Sequence, residues 1–243
     1  ASEHASYYAY NSVYKKIKEW LYPRLKAISV PTTMDTQIYR EKGYNAYYIP
    51  HMTTFDKIVD NSLRSHRVIN VGRLTKDKQQ IMLLDIWKEF NKKFPQNEYL
   101  LQIIGSGEEK ENIINYIEEN KIKNVELIPH TSKIEEYYRE AELFVFTSKM
   151  EGFGMVLLEA MSYGIPCISF DCPSGPRDII NNEVNGFLVP CYDKSKFSNY
   201  IYKYVTSNQS IKENFSRGAK ETIIQWDNNE IINKWVDVFR KIG

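Results

Sequence analysis

The chain has 243 residues, with 32 Lys or Arg against 31 Asp or Glu, so no global field draws it to nucleic acid or to an acidic membrane. That length holds one large α/β domain, or a complete domain carrying a piece of another. The longest apolar runs, ELFVFTS (142–148) and GIPCISF (164–170), fall well short of the ~20 residues that a membrane-crossing helix needs, and no charged-then-apolar leader opens the chain, which reads as soluble and cytoplasmic.

Residues 1–65 carry an amphipathic stretch at 13–25, a strand at 25–30 (LKAISV), a helix at 33–42 and a short strand at 46–50 (AYYIP). A βα tail of this size is expected to bury no core of its own and reads as the end of a preceding domain, with 53–65 as a hinge-like connection. From residue 66 onward, strand-like segments alternate with longer helical patterns such as 78–93 and 108–120. The strands are RVINVG (67–72), LLQIIG (100–105), NVELIP (124–129), LFVFTS (143–148), PCISF (166–170) and GFLVP (186–190). The alternation predicts an α/β fold with a Rossmann-like, doubly wound parallel sheet over 66–226, and strands apolar throughout are those buried on both faces. Such sheets bind ligands beyond the carboxyl ends of their strands, which directs attention to the loops that follow them. Helical patterns at 194–206, 211–224 and 228–241 end the chain, with a break at Trp226 and Asp227. The last of them, within 227–243, is expected to pack back toward the amino-terminal part. Cys167, Cys172 and Cys191 form neither a C-x-x-C pair nor an even set, which fits a reducing compartment and gives no metal site.

Two constellations carry chemistry. In VGRLTKDK (71–78) a strand ends at Gly72, where close backbone approach is expected, and a helix is expected to open near Asp77. Arg73 and Lys78 stand beside that helix start, where cations oppose the helix dipole unless an anion is supplied from outside. The helix terminus, the Arg fork and the mobile Lys charge together suit a diphosphate, against the alternative of two solvated charges at an ordinary helix start. In SKMEGFGMVLLEAM (148–161), Glu151 lies in the loop after a strand and Glu159 about two turns into the next helix. Gly152 and Gly154 flank Phe153 and leave loop amides open to a ligand, while Phe153 also reads as a core aromatic. A carboxylate at Glu159 within the apolar run MVLLEAM is costly to leave unpaired, which favours a hydroxyl-bearing ligand over a plain surface charge.

Gly72-Arg73-Leu74 with Lys78, Glu151 and Glu159 around Gly-Phe-Gly, GIPCISFDCPSGPRDII and NGFLVP together resemble the carboxyl-terminal domain of family 4 retaining glycosyltransferases, over residues 66–226. The resemblance implies one half of a GT-B fold. It implies that Arg73 and Lys78 hold the donor diphosphate, that Glu151 and the amides of Gly152, Phe153 and Gly154 contact the donor sugar, and that Glu159 holds the ribose. Gln79 stands where that family usually has Gly. The stretch SEH resembles an amino-terminal-domain strand end, which makes His4 a candidate catalytic group across the cleft. YIPHM (48–52) resembles the interdomain connection, with His51 in place of the usual Asn and no consequence expected. The implied partners are a nucleotide sugar, with UDP favoured, and a glycan or lipid-linked acceptor of bacterial capsule or lipopolysaccharide synthesis. No metal cofactor is expected, since there is no Asp-x-Asp pair and two cations stand in its place. Peripheral membrane association would come through the missing domain.

Weaker signals rank below these. IGSG (104–107) lacks the third glycine of a dinucleotide loop and reads as a strand-to-helix turn bordering the nucleotide. His130 reads as structural, and 173–177 as a tight turn into a helix with Gly175 near the pocket mouth. The competing classes are a glycosidase, disfavoured because glycosides carry no phosphate to engage Arg73 and Lys78, a dinucleotide oxidoreductase, and a nucleotide-binding module without turnover.

Overall fold

A computed structural model describes residues 1–53, 59, 61 and 63–243, and most of the connection expected at 53–65 lies outside the described residues. The amino-terminal part contains α1 (Ser12–Leu21), β1 (Ile28–Val30), α2 (Thr33–Glu41) and β2 (Ala46–Tyr48). β1 and β2 pair in parallel with Ile28 opposite Ala46, and Ser2 adds a bridge to Ser29. This part does bury a small core, built from Tyr22, Ile28, Val30, Tyr39 and Ala46, contrary to expectation. The rings of Tyr22 and Tyr44 lie 5.7 and 6.1 Å from Tyr39, and large aromatic side chains supply the area that three-residue strands lack. In contrast, α1 buries none of its residues and leaves Val13, Ile17 and Trp20 exposed.

The remainder is the predicted doubly wound domain. β3 (Arg67–Val71), β4 (Leu100–Ile104), β5 (Val125–Ile128), β6 (Leu143–Phe146), β7 (Cys167–Phe170) and β8 (Gly186–Val189) form one sheet in the order β5-β4-β3-β6-β7-β8, every pair parallel. Successive strand residues face opposite layers, which explains why these strands show no polar alternation. Val68, Leu101, Leu143 and Val145 enter a core shared with α3 (Gln80–Lys93), α4 (Lys110–Glu119) and α8 (Lys194–Val205). Ile69, Ile104, Phe144 and Phe146 enter the other, with α5 (Ile134–Glu140), α6 (Met155–Ser162), α7 (Pro176–Ile179) and α9 (Gln209–Gln225). At the opposite edge from the ligand-facing loops, the buried Glu142 carboxylate accepts hydrogen bonds from Lys212 (2.6 Å) and Tyr99 (2.9 Å), tying α9 to the sheet. The strand order reverses between β3 and β6, so their carboxyl ends diverge into the crevice where such sheets bind ligands.

One helix start differs from expectation. Lys76–Lys78 forms a short 3-10 turn, and α3 begins only at Gln80. Between them Gln79 takes the left-handed conformation (φ 55°, ψ 41°). The Thr147 hydroxyl, just past β6, donates to the carbonyls of Lys78 and Gln79 at 3.1 and 3.3 Å and pins the turn there. A residue with a Cβ pays roughly 1–2 kcal/mol for that conformation, which accounts physically for glycine at this place in the resembled family.

Two of the contacts that join the amino-terminal part to the sheet domain lie at the last helix and beside the loop after β7. The last helix, α10 (Asn228–Ile242), buries Ile231 and Val238 against Ile49, with Ala27 and Tyr47 alongside. The second lies beside the loop after β7. Ser174 donates to the buried Asp35 carboxylate at 2.6 Å, which also accepts from Thr32 at 3.0 Å and from the Tyr7 amide at 3.1 Å. Asp178 in turn accepts from the Thr33 amide at 2.8 Å and from the Thr33 hydroxyl. Burial pushes the Asp178 carboxyl up, and the Thr33 donors oppose that shift.

Candidate functional site

The expected residues gather at the switch between β3 and β6 in three groups. The first surrounds a cavity of 460 Å³ lined by Gly72 and Arg73 after β3, Gly105 and Ser106 after β4, His130 after β5, and Glu159 from α6. Gly72 donates its amide to Ile104 O at 3.1 Å and Leu74 donates its amide to Ser106 O at 3.0 Å, so the first two loops continue the sheet past its last strand residues. The Arg73 carbonyl accepts from the Gln80 side chain at 2.9 Å, which fixes the backbone while the guanidinium stays exposed.

Crowding between backbones falls on the neighbours of Gly72 and leaves space beside Gly72 itself. A Cβ at Gly72 would meet only Lys78 Cδ at 4.0 Å, whereas one at Gly105 would lie 1.9 Å from Gly72 O and one at Gly107 would lie 2.2 Å from Leu74 O. The glycines of IGSG make room for the Gly72–Leu74 backbone. Gly72 itself meets no packing demand of that kind.

In the second group Lys78 does not stand as a lone cation at a helix start. Its ammonium donates to Glu151 Oε1 at 2.5 Å, with side chains 20% and 10% exposed, and sits 5.4 Å from the Phe146 ring centre. The residues expected to hold phosphate and sugar are thus direct neighbours, and each compensates the other's partly desolvated charge. The Glu151 amide donates to Pro173 O at 3.3 Å, which anchors this loop to the one after β7.

The third group is packed rather than open. A Cβ at Gly152 would lie 2.5 Å from His4 O, and Gly154 has φ 97°, so both glycines are required by the chain's own geometry. The same holds for Gly175, whose Cβ would lie 1.8 Å from Phe153 O. Phe153 is buried, with its ring 5.3 Å from His51 and 5.5 Å from Trp226, so only its backbone is available to a ligand. His4 is exposed and stacks on His51 at 5.7 Å with the rings 6° from parallel. His51 therefore has the consequence that its sequence position did not suggest: it links His4 to Phe153, and its imidazole is pushed down by burial and by the His4 charge.

Glu159 is half-buried at the cavity wall. Burial pushes its carboxyl up, and a hydrogen bond from Tyr138 opposes the shift, the hydroxyl donating to Oε2 at 3.0 Å. Sequence reasoning missed Tyr138, because a tyrosine before an apolar strand carries no motif. It also missed Thr147, whose role depends on the left-handed turn.

A cleft at the switch point of a parallel sheet, with an exposed Arg at one end and a half-buried carboxylate at another, is a common form of nucleotide site. The model of the family described as glycosyl transferases group 1 matches residues 53–222. The chain belongs to this family. The amylovoran biosynthesis glycosyltransferase AmsD of Erwinia amylovora is 31% identical over 97% of this chain and 68% of its own length. The poly(ribitol-phosphate) alpha-N-acetylglucosaminyltransferase of Staphylococcus aureus is 28% identical over 70% of this chain and 34% of its own. Among solved structures, the fold recurs in the pneumococcal O-GlcNAc transferase GtfA in complex with UDP and GlcNAc (TM-score 0.80, 24% identity, 99% of this chain and 51% of that one). The lipopolysaccharide outer core galactosyltransferase WaaB aligns with TM-score 0.74 at 25% identity, over 93% of this chain and 65% of that one. The chain thus spans between a third and about two thirds of the length of these relatives. No helix among its described residues is long and apolar enough to cross a membrane.

Proposed function

We propose that this chain is the donor-binding part of a retaining, family 4 type glycosyltransferase. The enzyme moves a hexose or N-acetylhexosamine from a UDP-sugar to a glycan or lipid-linked acceptor in bacterial surface polysaccharide synthesis. The observation that carries the reading is the cavity that joins the Arg73 loop to the half-buried Glu159 carboxylate, with the Lys78–Glu151 pair beside the same β3–β6 crevice. Relatives named for amylovoran, for poly(ribitol-phosphate) and for lipopolysaccharide galactosyl transfer support the substrate class.

In this reading the diphosphate is the leaving group, and Arg73 and Lys78 stabilise the charge that grows on it as the glycosidic bond breaks. Engagement of phosphate by Lys78 releases Glu151 to accept from sugar hydroxyls, so one ligand converts an internal ion pair into two binding contacts. Glu151 orients the sugar rather than forming a covalent bond to it. The acceptor hydroxyl attacks from the face the diphosphate leaves and passes its proton to a donor phosphate oxygen, with His4 at the acceptor side. Two cations offset the diphosphate charge, and the transfer needs no metal.

The test is calorimetry of the chain with UDP, GDP and ADP, with and without EDTA. UDP is expected to bind best and independently of EDTA. Arg73→Ala is expected to weaken it about 10–100-fold, the worth of a charge-assisted hydrogen-bond pair. Lys16→Ala, on the exposed face of α1, is expected to leave it unchanged. Folded protein that binds no nucleotide refutes the proposal.

A further inference from the structure

We infer that Tyr138 is a positioning residue for the nucleotide's ribose: its hydroxyl holds one oxygen of Glu159 so that the carboxylate presents the other to the ribose diol. The inference rests on the nucleotide reading above and extends it to a residue that cannot touch the ligand itself. Tyr138 is fully buried, and its ring is stacked on Tyr163 at 5.4 Å and on Phe144 at 6.4 Å, so the hydroxyl has a fixed direction. A buried tyrosine hydroxyl requires an acceptor, and here the acceptor is Glu159 Oε2 at 3.0 Å.

The geometry suits recognition of two adjacent hydroxyls. Tyr138 lies on α5 and Glu159 on α6, and the first residue of α5, Ile134, lines the same cavity as Glu159. A carboxylate has about four acceptor positions, and one phenol occupies only one of them. With one oxygen anchored, the carboxylate does not lose rotational freedom when the ligand arrives, so the cost of ordering it is met by the fold. A purely structural hydroxyl in a core needs no partner on a cavity wall. This one ends on the only carboxylate among the residues that line that cavity.

The experiment is calorimetry of UDP and of 2′,3′-dideoxy-UDP with the unaltered chain and with Tyr138→Phe, which removes the hydroxyl and keeps the stacked ring. UDP is expected to bind the unaltered chain more tightly than the dideoxy compound. Tyr138→Phe is expected to weaken UDP about tenfold, the scale of a hydrogen bond to a charged group, and to leave the dideoxy compound unchanged. The pH profile supplies a second readout. Loss of the donor lets burial push Glu159 further up, so UDP affinity in Tyr138→Phe is expected to fall at a higher pH on acidification than in the unaltered chain. Arg73, His130 and Tyr163 are present in both proteins, so the difference between the two profiles isolates Glu159. Equal weakening of both compounds would mean that the hydroxyl only supports packing, and no change in UDP binding would mean that it positions nothing; either overturns the inference. Equal binding of the two compounds by the unaltered chain overturns it while sparing the nucleotide reading. Failure of the unaltered chain to bind UDP at all refutes that reading and the inference with it.

Discussion

Gly72 and Gly105 face each other across the cleft wall and invite a paired test. In Gly105→Ala the new methyl would lie 1.9 Å from Gly72 O, so the two loops must separate by about 1 Å to reach the shortest tolerated contact. That shift strains the hydrogen bonds from the Gly72 amide to Ile104 O (3.1 Å) and from the Gly105 amide to Ile128 O (2.9 Å). Overpacking costs about 1–3 kcal/mol and each weakened hydrogen bond up to about 1 kcal/mol, so a loss of roughly 2–4 kcal/mol is expected. At about 2–4 °C per kcal/mol for a chain of this size, the melting midpoint should fall by about 5–15 °C. Gly72→Ala places its methyl 4.0 Å from Lys78 Cδ with no other close contact, and its φ lies outside the range that side chains avoid. Its stability should be unchanged or better by up to about 1 kcal/mol, through reduced freedom of the unfolded chain. The methyl would nonetheless stand beside Arg73 at the cavity rim, so UDP affinity should fall. Denaturant melts and calorimetry on the same samples separate the effects. Equal destabilisation by both substitutions would refute the packing argument, and a Gly72→Ala protein with unaltered stability and unaltered UDP binding would refute a ligand at Gly72.

Gln79→Gly should raise stability by up to about 1 kcal/mol in urea melts, because it relieves a left-handed residue bearing a Cβ. Gln79→Val at the same position should lower it. Glu159→Gln should trade binding for stability. Its folded-state carboxyl is raised by burial, so the ionised form opposes folding at neutral pH, and the opposition begins to lift as pH falls through the folded-state value and is gone below the unfolded-state one. The variant should therefore melt higher than the unaltered chain at neutral pH, lose that advantage in acid, and bind UDP about tenfold more weakly. Lys212→Met strands the fully buried Glu142 carboxylate, and melts should report a loss of about 3–5 kcal/mol, the usual cost of breaking a buried pair from one side.

The sheet was legible because each strand from β3 to β8 is a short β-rich run that serves two cores at once, a pattern that periodicity detects directly. Arg73 and Glu159 were legible as a charge after a strand and a carboxylate in an apolar helix, and both line the 460 Å³ cavity. The Lys78–Glu151 contact was not, since the partners are 73 residues apart and meet only because β3 and β6 are neighbours. The packing demands on the glycines were not legible for the same reason. At Gly152 and Gly105 the crowding atoms belong to His4 and Gly72, which are remote in sequence. The tyrosine cluster around Tyr39 escaped notice because 18 tyrosines spread over the chain gave no local pattern to mark those that converge.

Asp35 bears on how this molecule can be divided. Its carboxylate collects donors from Ser6, Tyr7, Thr32 and Ser174, while Thr33 caps onto Asp178 and α10 lies across Ile49. Trimming the first fifty residues would strip Ser174 and Asp178 of these partners and bare Ile231 and Val238 to water. The shortest piece worth crystallising or grafting therefore keeps those fifty residues and α10 along with the six-stranded sheet, even though the cavity draws its walls from the sheet domain alone.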